Sequence, residues 1–234
     1  MIMTTFSIRN INVHPFSSFN EVIDYADDHK GILVAVNAEK CMNATQQLVD
    51  VINDNIGYCD GAGAVKAGRR KGFKNVERTP GCELWLHIIR RFAGQRKFYL
   101  VGTRQEVIEE VVAKLRAEFP GIDIVGFRNG FLQPGDDEKL AADLERTRPD
   151  FVFVAMGSPK QEFLMQRLKQ RHPNAVYQGL GGSFDLYVGN FKRAPKALQA
   201  IGAEWLWRFI AQPSRIRRIG PYLRYAAALY TNRL

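Results

Sequence analysis

The stretch 156-MGSPKQE-162 places small, polar and charged residues directly after the apolar run FVFVA. Ser158, Pro159 and Gln161 fit the N-cap, the first helical position and the third position of a capping box. Lys160 adds positive charge at a helix N-terminus, where the helix dipole is already positive. This arrangement is typical of a phosphate site. Taken alone, however, the same residues are explained more simply by a well-capped helix without a ligand.

A second group with possible chemistry is 58-YCDGAGAVKAG-68, where Asp60 precedes glycines. A carboxylate at the end of a short strand beside a glycine-rich turn can be a general base over a pocket or a helix cap. The glycines do not follow the G-x-G-x-x-G pattern of dinucleotide sites, and the acidic residue expected after it is replaced by Glu83 at a predicted helix start. A nicotinamide-dependent oxidoreductase is therefore disfavoured.

Asn37 and four glycines are further candidates because they follow predicted strands. Asn37, in 34-VAVNAEK-40, can hydrogen-bond a sugar or an amide, or can cap the helix that follows. Parallel sheets bind ligands at the carboxyl ends of their strands. The glycines at such strand ends are candidate contacts for a nucleotide base: Gly102, Gly157, Gly181 and Gly182.

These residues must be positioned by an α/β fold. Short apolar runs alternate with amphipathic segments, which predicts βαβ units and a mostly parallel sheet flanked by helices. The predicted strands are 32–36, 98–102, 122–126, 151–155 and 175–179. The predicted helices are 40–54, 60–71, 82–93, 104–118, 136–147, 159–171 and 195–211. The pattern becomes basic and aromatic near Pro195, so we predict a main domain over 1–194 and a helical appendage over 195–234.

The net charge of the chain is +9, and nearly all of it lies in the C-terminal fifth. Residues 190–234 contain nine Lys and Arg against one Glu. Such a segment binds anionic partners such as nucleic acid, lipid headgroups or phosphorylated substrates. Basic residues interleaved with Trp and Tyr are typical of a membrane interface, but Arg and aromatic side chains also stack on nucleic-acid bases. A helix packed on the core with solvated arginines is the third interpretation.

Within this tail we predict short helices. Pro213 and Pro221 are expected to break the helical pattern. Glu204 and Arg208 are four residues apart on the preceding helix and can pair.

The composition argues against several other classes of protein. No apolar run approaches the roughly 18 residues of a membrane span, and we expect no signal peptide. The three cysteines show no CxxC spacing and the four histidines are scattered. We therefore expect neither a disulfide framework nor a zinc site.

Eight strings, taken together, resemble one protein family. They run in order from about residue 32 to the C-terminus: VAVNAEK, YCDGAGAV, ERTPGCELW, YLVGT, VAMGSPKQE, GNFKRAPK, AEWLWRF and AQPSRIRR. They resemble the WecG/TagA/CpsF glycosyltransferases, and within that family the members that transfer N-acetyl-D-mannosaminuronic acid in enterobacterial common antigen synthesis. The resemblance covers nearly the whole chain.

The resemblance implies an inverting transfer, without a metal ion or other cofactor, from a UDP-activated N-acetylmannosamine-type sugar to GlcNAc on a polyprenyl diphosphate such as undecaprenyl diphosphate. The chain also lacks a DxD motif, the usual metal-binding pair of enzymes that use sugar nucleotides. The alternative is transfer of N-acetylmannosamine or another hexose from UDP in a different surface-polysaccharide pathway.

The resemblance further implies a Rossmann-like catalytic domain whose C-terminal appendage docks on the membrane and closes over the active site. The enzyme would then lie in the cytoplasm, peripheral on the anionic cytoplasmic face of the bacterial inner membrane. No nucleic-acid partner is implied. Because the appendage would complete the site of its own chain, we expect the active form to be a monomer.

Roles for individual residues follow from the matching positions. Asp60 is expected to be the general base that takes the proton of the acceptor hydroxyl. Pocket positions of the main domain match Asn37, Arg78 and Gln161. Arginines expected to reach the pocket and neutralise the leaving UDP match Arg208, Arg215 and Arg218. Ala35 stands where many members have Thr, so a role of that hydroxyl is not expected here.

Overall fold

The computed structural model describes residues 4–192, 194–200, 204, 207, 219–231 and 233–234. The strands in these residues are β1 (Phe6–Ile8), β2 (Ile11–Val13), β3 (Gly31–Val36), β4 (Ile56–Cys59), β5 (Lys97–Gly102), β6 (Asp123–Arg128), β7 (Phe151–Ala155) and β8 (Val176–Gly179). The first two form an antiparallel hairpin. The others form one six-stranded sheet in the order β4-β3-β8-β7-β5-β6.

Helices connect these strands. In the described residues they are α1 (Phe19–His29), α2 (Ala38–Asn43), α3 (Gln46–Asn53), α4 (Ala62–Arg70), α5 (Gly81–Phe92), α6 (Gln105–Glu118), α7 (Asp136–Thr147), α8 (Lys160–Arg171), α9 (Ser183–Val188), α10 (Lys196–Ala200) and α11 (Ile219–Tyr230). None of them is both long enough and apolar enough to cross a membrane.

All pairs in the six-stranded sheet are parallel. Successive strand residues face opposite sides, so Val34 packs into one apolar core and Leu33 into the other. Helices α2, α3, α4, α7, α8 and α11 contribute buried residues to the first core, and α1, α5, α6 and α9 contribute to the second. A sheet covered on both faces explains why its strands read as continuous apolar runs. The predicted Rossmann-like α/β class is confirmed.

Several predicted elements need correction. The predicted helix 40–54 is two helices, because Ala44 is extended and the Thr45 side chain accepts a hydrogen bond from Leu48 N at 3.3 Å, which starts α3. β4 was not among the predicted strands of the sheet, although Asp60 was considered to end a short strand there; it is an edge strand of only four residues preceded by polar residues. The hairpin, α1 and α9 were also not predicted.

The C-terminal helix α11 packs on α2 and α4. Tyr225 is buried against Gly63, where an added Cβ would lie 2.8 Å from the tyrosine ring. Arg224 donates a hydrogen bond to Asn43 Oδ1 at 3.0 Å. Pro221 lies in the first turn of α11, a position where the missing N–H of proline is not needed. Pro213 lies outside the described residues.

Gly102 ends β5 in a conformation that a larger residue would not tolerate. Its φ is +138°, and a Cβ added to it would lie 2.3 Å from the carbonyl oxygen of Ala155 in β7. The close approach of two strand ends therefore accounts for this glycine.

We expect Gly102→Ala to lower the free energy of unfolding by about 2–4 kcal/mol, because backbone strain and a collision with Ala155 add together. Gly72→Ala is the matched control, since Gly72 also has a positive φ, of +95°, but has no atom within 4 Å of an added Cβ. It should cost about 1–2 kcal/mol. Urea unfolding of both variants measures the difference, and equal losses would refute the collision.

Candidate active site

A cavity of about 800 Å³ opens at the carboxyl ends of β3, β4, β7 and β8. β3 is followed by α2 on one face of the sheet, and the adjacent β8 is followed by α9 on the other. The two connections leave in opposite directions, so a crevice forms between them, as is usual for ligand sites of parallel sheets. This is the edge of the sheet at which the sequence predicted ligand binding.

The cavity lining combines hydrogen-bonding, charged and aromatic groups. The groups that matter most to its chemistry are Asn37, Asp60, Lys160, Gln161, Lys192 and Trp207. The size suits a nucleotide-sized ligand, since small-molecule sites in proteins span about 300–1,000 Å³. Among the residues that the structure describes, no group of three His, Cys, Asp or Glu side chains could hold a metal ion.

Asp60 lies in the cavity wall with one carboxylate oxygen held and one accessible. The N–H of Gly81, at the start of α5, donates to its Oδ1 at 2.8 Å. Its backbone is fixed by a bond from Asp60 N to Val36 O at 3.1 Å. Within the described part of the chain, Oδ2 has no hydrogen-bond donor. The carboxylate is therefore oriented by the protein while keeping an oxygen for a ligand, as a general base requires.

Asn37 both caps a helix and lines the cavity. Its Oδ1 accepts a hydrogen bond from Lys40 N at 3.0 Å, which confirms the helix-cap interpretation. Because the cap uses only Oδ1, the side-chain Nδ2 can still donate a hydrogen bond to a ligand.

Gln161 is buried, with only 4% of its surface exposed, and it ties two turns together. Its Oε1 accepts hydrogen bonds from Gly157 N at 3.1 Å and from Gly181 N at 2.9 Å. The predicted capping box is wrong in register: Pro159, not Ser158, occupies the N-cap position, and α8 begins at Lys160. The glutamine side chain instead satisfies the two glycine N–H groups in the cavity wall.

Arg78 lies behind Asp60 and is not among the residues that line the cavity. Its Nε donates to the backbone oxygen of Asp60 at 3.1 Å, and its guanidinium also pairs with Glu204, itself a lining residue. The arginine thus supports the backbone that carries the candidate base. Glu204 was expected to pair with Arg208, which lies outside the described residues.

The remaining predicted residues fall into three groups. The predicted glycines that line the cavity are Gly157, Gly181 and Gly182. Gly102 is not among the lining residues, and its packing against β7 explains it. Outside the described residues lie Arg208, Arg215 and Arg218.

A buried ion pair that no sequence pattern indicated lies in the cavity wall, where Lys40 is a lining residue and Glu162 is not. Lys40 Nζ donates to Glu162 Oε1 at 2.8 Å and to the carbonyl oxygen of Ala35 at 3.0 Å. The two charged residues are 122 positions apart. Both stand in strings that marked the family resemblance, but no local pattern indicates that they meet.

The three cysteines occupy different environments. Burial raises the pKa of the Cys41 and Cys59 thiols to about 12. Cys82 is only partly buried and lines the cavity at the start of α5.

The chain matches the model of a known protein family. A family model described as Glycosyl transferase WecG/TagA/CpsF family matches residues 5–234. The match includes all the cavity-lining residues and the C-terminal helix.

The cysteine environments predict selective labelling of the cavity. At pH 8, a thiol of pKa about 12 is about 10⁻⁴ ionised, so Cys41 and Cys59 should resist iodoacetamide, whereas Cys82 should react. Peptide mass spectrometry of native protein should find one alkylated site, and all three sites after unfolding. Cys82→Ser is the control, which should remove labelling of the native protein. Labelling of Cys41 or Cys59 as fast as Cys82 would contradict the described burial.

Proposed function

This chain belongs to the WecG/TagA/CpsF family of glycosyl transferases, which act in cell-surface polysaccharide synthesis, and from that premise we propose its specific reaction. It transfers N-acetyl-D-mannosaminuronic acid from UDP to GlcNAc on undecaprenyl diphosphate, in enterobacterial common antigen synthesis. The observation that carries the catalytic proposal is the oriented Asp60 carboxylate in the cavity at the carboxyl ends of the strands.

Asp60 is the proposed general base. It takes the proton of the acceptor hydroxyl while that oxygen forms a bond to the anomeric carbon of the donor sugar. The bond from the anomeric carbon to the diphosphate oxygen breaks, and UDP leaves with the electron pair. Attack from the face opposite the leaving group inverts the anomeric configuration. The hydrogen bond from the Gly81 N–H holds the carboxylate in its orientation during this step.

The opposite wall of the cavity suits the leaving diphosphate. Lys160 lies there at the N-terminus of the 12-residue helix α8, which adds positive potential, and Lys192 is a further cation in the cavity lining. Preorganised positive groups stabilise negative charge that develops on a leaving group. Arg208, Arg215 and Arg218 are proposed to complete this set, so that no metal ion is needed.

The proposed identity of the donor sugar is based on the cavity wall near Asn37. Ala35 lines the cavity where many family members have Thr. We propose that the small side chain leaves room near Asn37 for a donor that differs from that of the Thr-containing members. A uronic acid carboxylate can occupy that space and accept a hydrogen bond from Nδ2.

The enzyme is proposed to act as a monomer at the cytoplasmic face of the bacterial inner membrane. Leu223 and Tyr230 of α11 are 60% and 69% exposed and lie near the exposed Arg224 and Arg233. Apolar and basic groups together bind anionic membrane surfaces. Sedimentation with anionic vesicles tests this location; a gel shift with nucleic acid and no sedimentation would contradict it.

The decisive assay measures release of UDP from a panel of UDP-sugars in EDTA, with and without a short-chain GlcNAc-diphosphate lipid. We expect acceptor-dependent release from UDP-N-acetylmannosaminuronic acid. Release only from UDP-N-acetylmannosamine would replace the donor, and release only after Mg²⁺ is added would refute metal independence. No release from any donor would refute the proposed reaction.

Asp60→Asn should reduce kcat about 10²–10⁴-fold, the contribution typical of a positioned base. The asparagine retains an Oδ1 that can accept from Gly81 N, so the thermal unfolding midpoint should stay close to that of the wild type. Asp28→Asn, which makes the same change on the exposed surface of α1, is the control and should retain full activity. A folded Asp60→Asn protein with undiminished transfer would remove Asp60 from the proposed role.

A further inference from the structure

We propose that Lys40 and Glu162 are positioning residues that fix Gln161 and, through it, the two glycine turns that form the donor side of the cavity. The description of this side as the donor side rests on the proposed function. The geometry of the two turns is independent of the proposed function.

A continuous series of hydrogen bonds connects Lys40, through Glu162 and Gln161, to the two glycine turns. Lys40 Nζ donates to Glu162 Oε1 at 2.8 Å, and Gln161 Nε2 donates to the same oxygen at 3.2 Å. Gln161 Oε1 then accepts from Gly157 N and Gly181 N. Side chains thereby join α2, which follows β3, to the start of α8 and to the turns after β7 and β8.

This series of hydrogen bonds allows only one orientation of the Gln161 amide. With Nε2 toward Glu162, its oxygen meets two N–H donors; the reverse orientation would point an NH₂ group at two N–H groups and an oxygen at a carboxylate. The carboxylate of Glu162 therefore selects the orientation in which Gln161 can hold Gly157 and Gly181. The fit is close, since a Cβ added to Gly179 would lie 2.4 Å from Gln161 Nε2.

The arrangement is poorly explained by stability alone. The side chains of Lys40 and Glu162 are only 8% and 1% exposed, and replacing a buried ion pair by apolar residues is often neutral or stabilising. In addition, Glu162 Oε2 is buried without a hydrogen-bond partner in the part of the chain that the structure describes. All described bonds of this carboxylate pass through Oε1, the oxygen that orients Gln161.

Glu162 is not among the residues that line the cavity, whereas Gln161 is. An effect of Glu162 on the donor must therefore pass through its neighbours. The series of hydrogen bonds ends at the glycine backbone of the cavity wall. Loss of these bonds therefore loosens the wall on the donor side.

The test compares two double variants of the full chain. Lys40→Met/Glu162→Gln and Lys40→Met/Glu162→Met both remove the ion pair without leaving a buried charge unpaired. Only the first retains an oxygen that can accept from Gln161 Nε2. Any difference between them isolates the positioning of Gln161 from the loss of the ion pair.

We expect both double variants to unfold at similar temperatures. The Met/Met variant should have a kcat/KM for the UDP-sugar on the order of 10²-fold below that of the Met/Gln variant, because small displacements of positioning groups cost about this much. Hydrogen exchange measured by mass spectrometry should be faster in its peptides containing Gly157 and Gly181. Equal kcat/KM and equal exchange in the two variants would overturn the proposal.

A further variant keeps the test decisive if the Met/Met protein does not fold. Gln161→Met leaves the ion pair in place and removes the amide, and it should show the same faster exchange at both glycine turns. Wild-type exchange in Gln161→Met would overturn the proposal.

The matched control is Glu145→Gln. It makes the same change in an exposed ion pair at the far end of α8, where Arg171 Nε lies 2.7 Å from Glu145 Oε1. It should retain wild-type exchange and kcat/KM, and a loss equal to that of the Met/Met variant would overturn the proposal. If the wild type transfers no sugar from any UDP donor, the proposed function fails, and the exchange comparison alone decides the role of Lys40 and Glu162.

Discussion

The site depends on the parallel pairing of β3 with β8. These strands are the first and the last of the six along the sequence, but they are neighbours within the sheet. The pairs Gly31 with Val176 and Leu33 with Gln178 bring the two carboxyl ends side by side. The connections from these ends then leave on opposite faces of the sheet. A crevice at this point is a consequence of topology, and the side chains that follow the two strands necessarily face each other across it.

The crevice separates two kinds of chemistry. Asp60, after the edge strand β4, is held by backbone bonds and by the N-terminus of α5, so a negative group stands on one side. On the other side, the turns after β7 and β8 present Lys160, glycine backbone and a helix N-terminus. A base and a site for an anionic leaving group need this separation, because a carboxylate next to a diphosphate would oppose its binding.

The sequence predicted the parts of this arrangement that local patterns encode. β7 and α7 were predicted with their exact bounds, because a continuous apolar run and a regular amphipathic period are local signals. Local pattern made Asp60 and Asn37 candidates for either a helix cap or a site residue, and the family resemblance assigned both to the pocket.

The parts that depend on distant residues could not be predicted in this way. The bonds of Gln161 reach Gly181, 20 positions away, and this contact replaced the expected capping box. The pairing of Lys40 with Glu162 spans 122 positions and exists only once α2 and α8 pack on the same face of the sheet. The same applies to the C-terminal helix, whose Tyr225 meets Gly63 just after Asp60. Because α11 packs on the two helices that begin beside Asn37 and Asp60, this C-terminal helix is part of the packing that supports both residues.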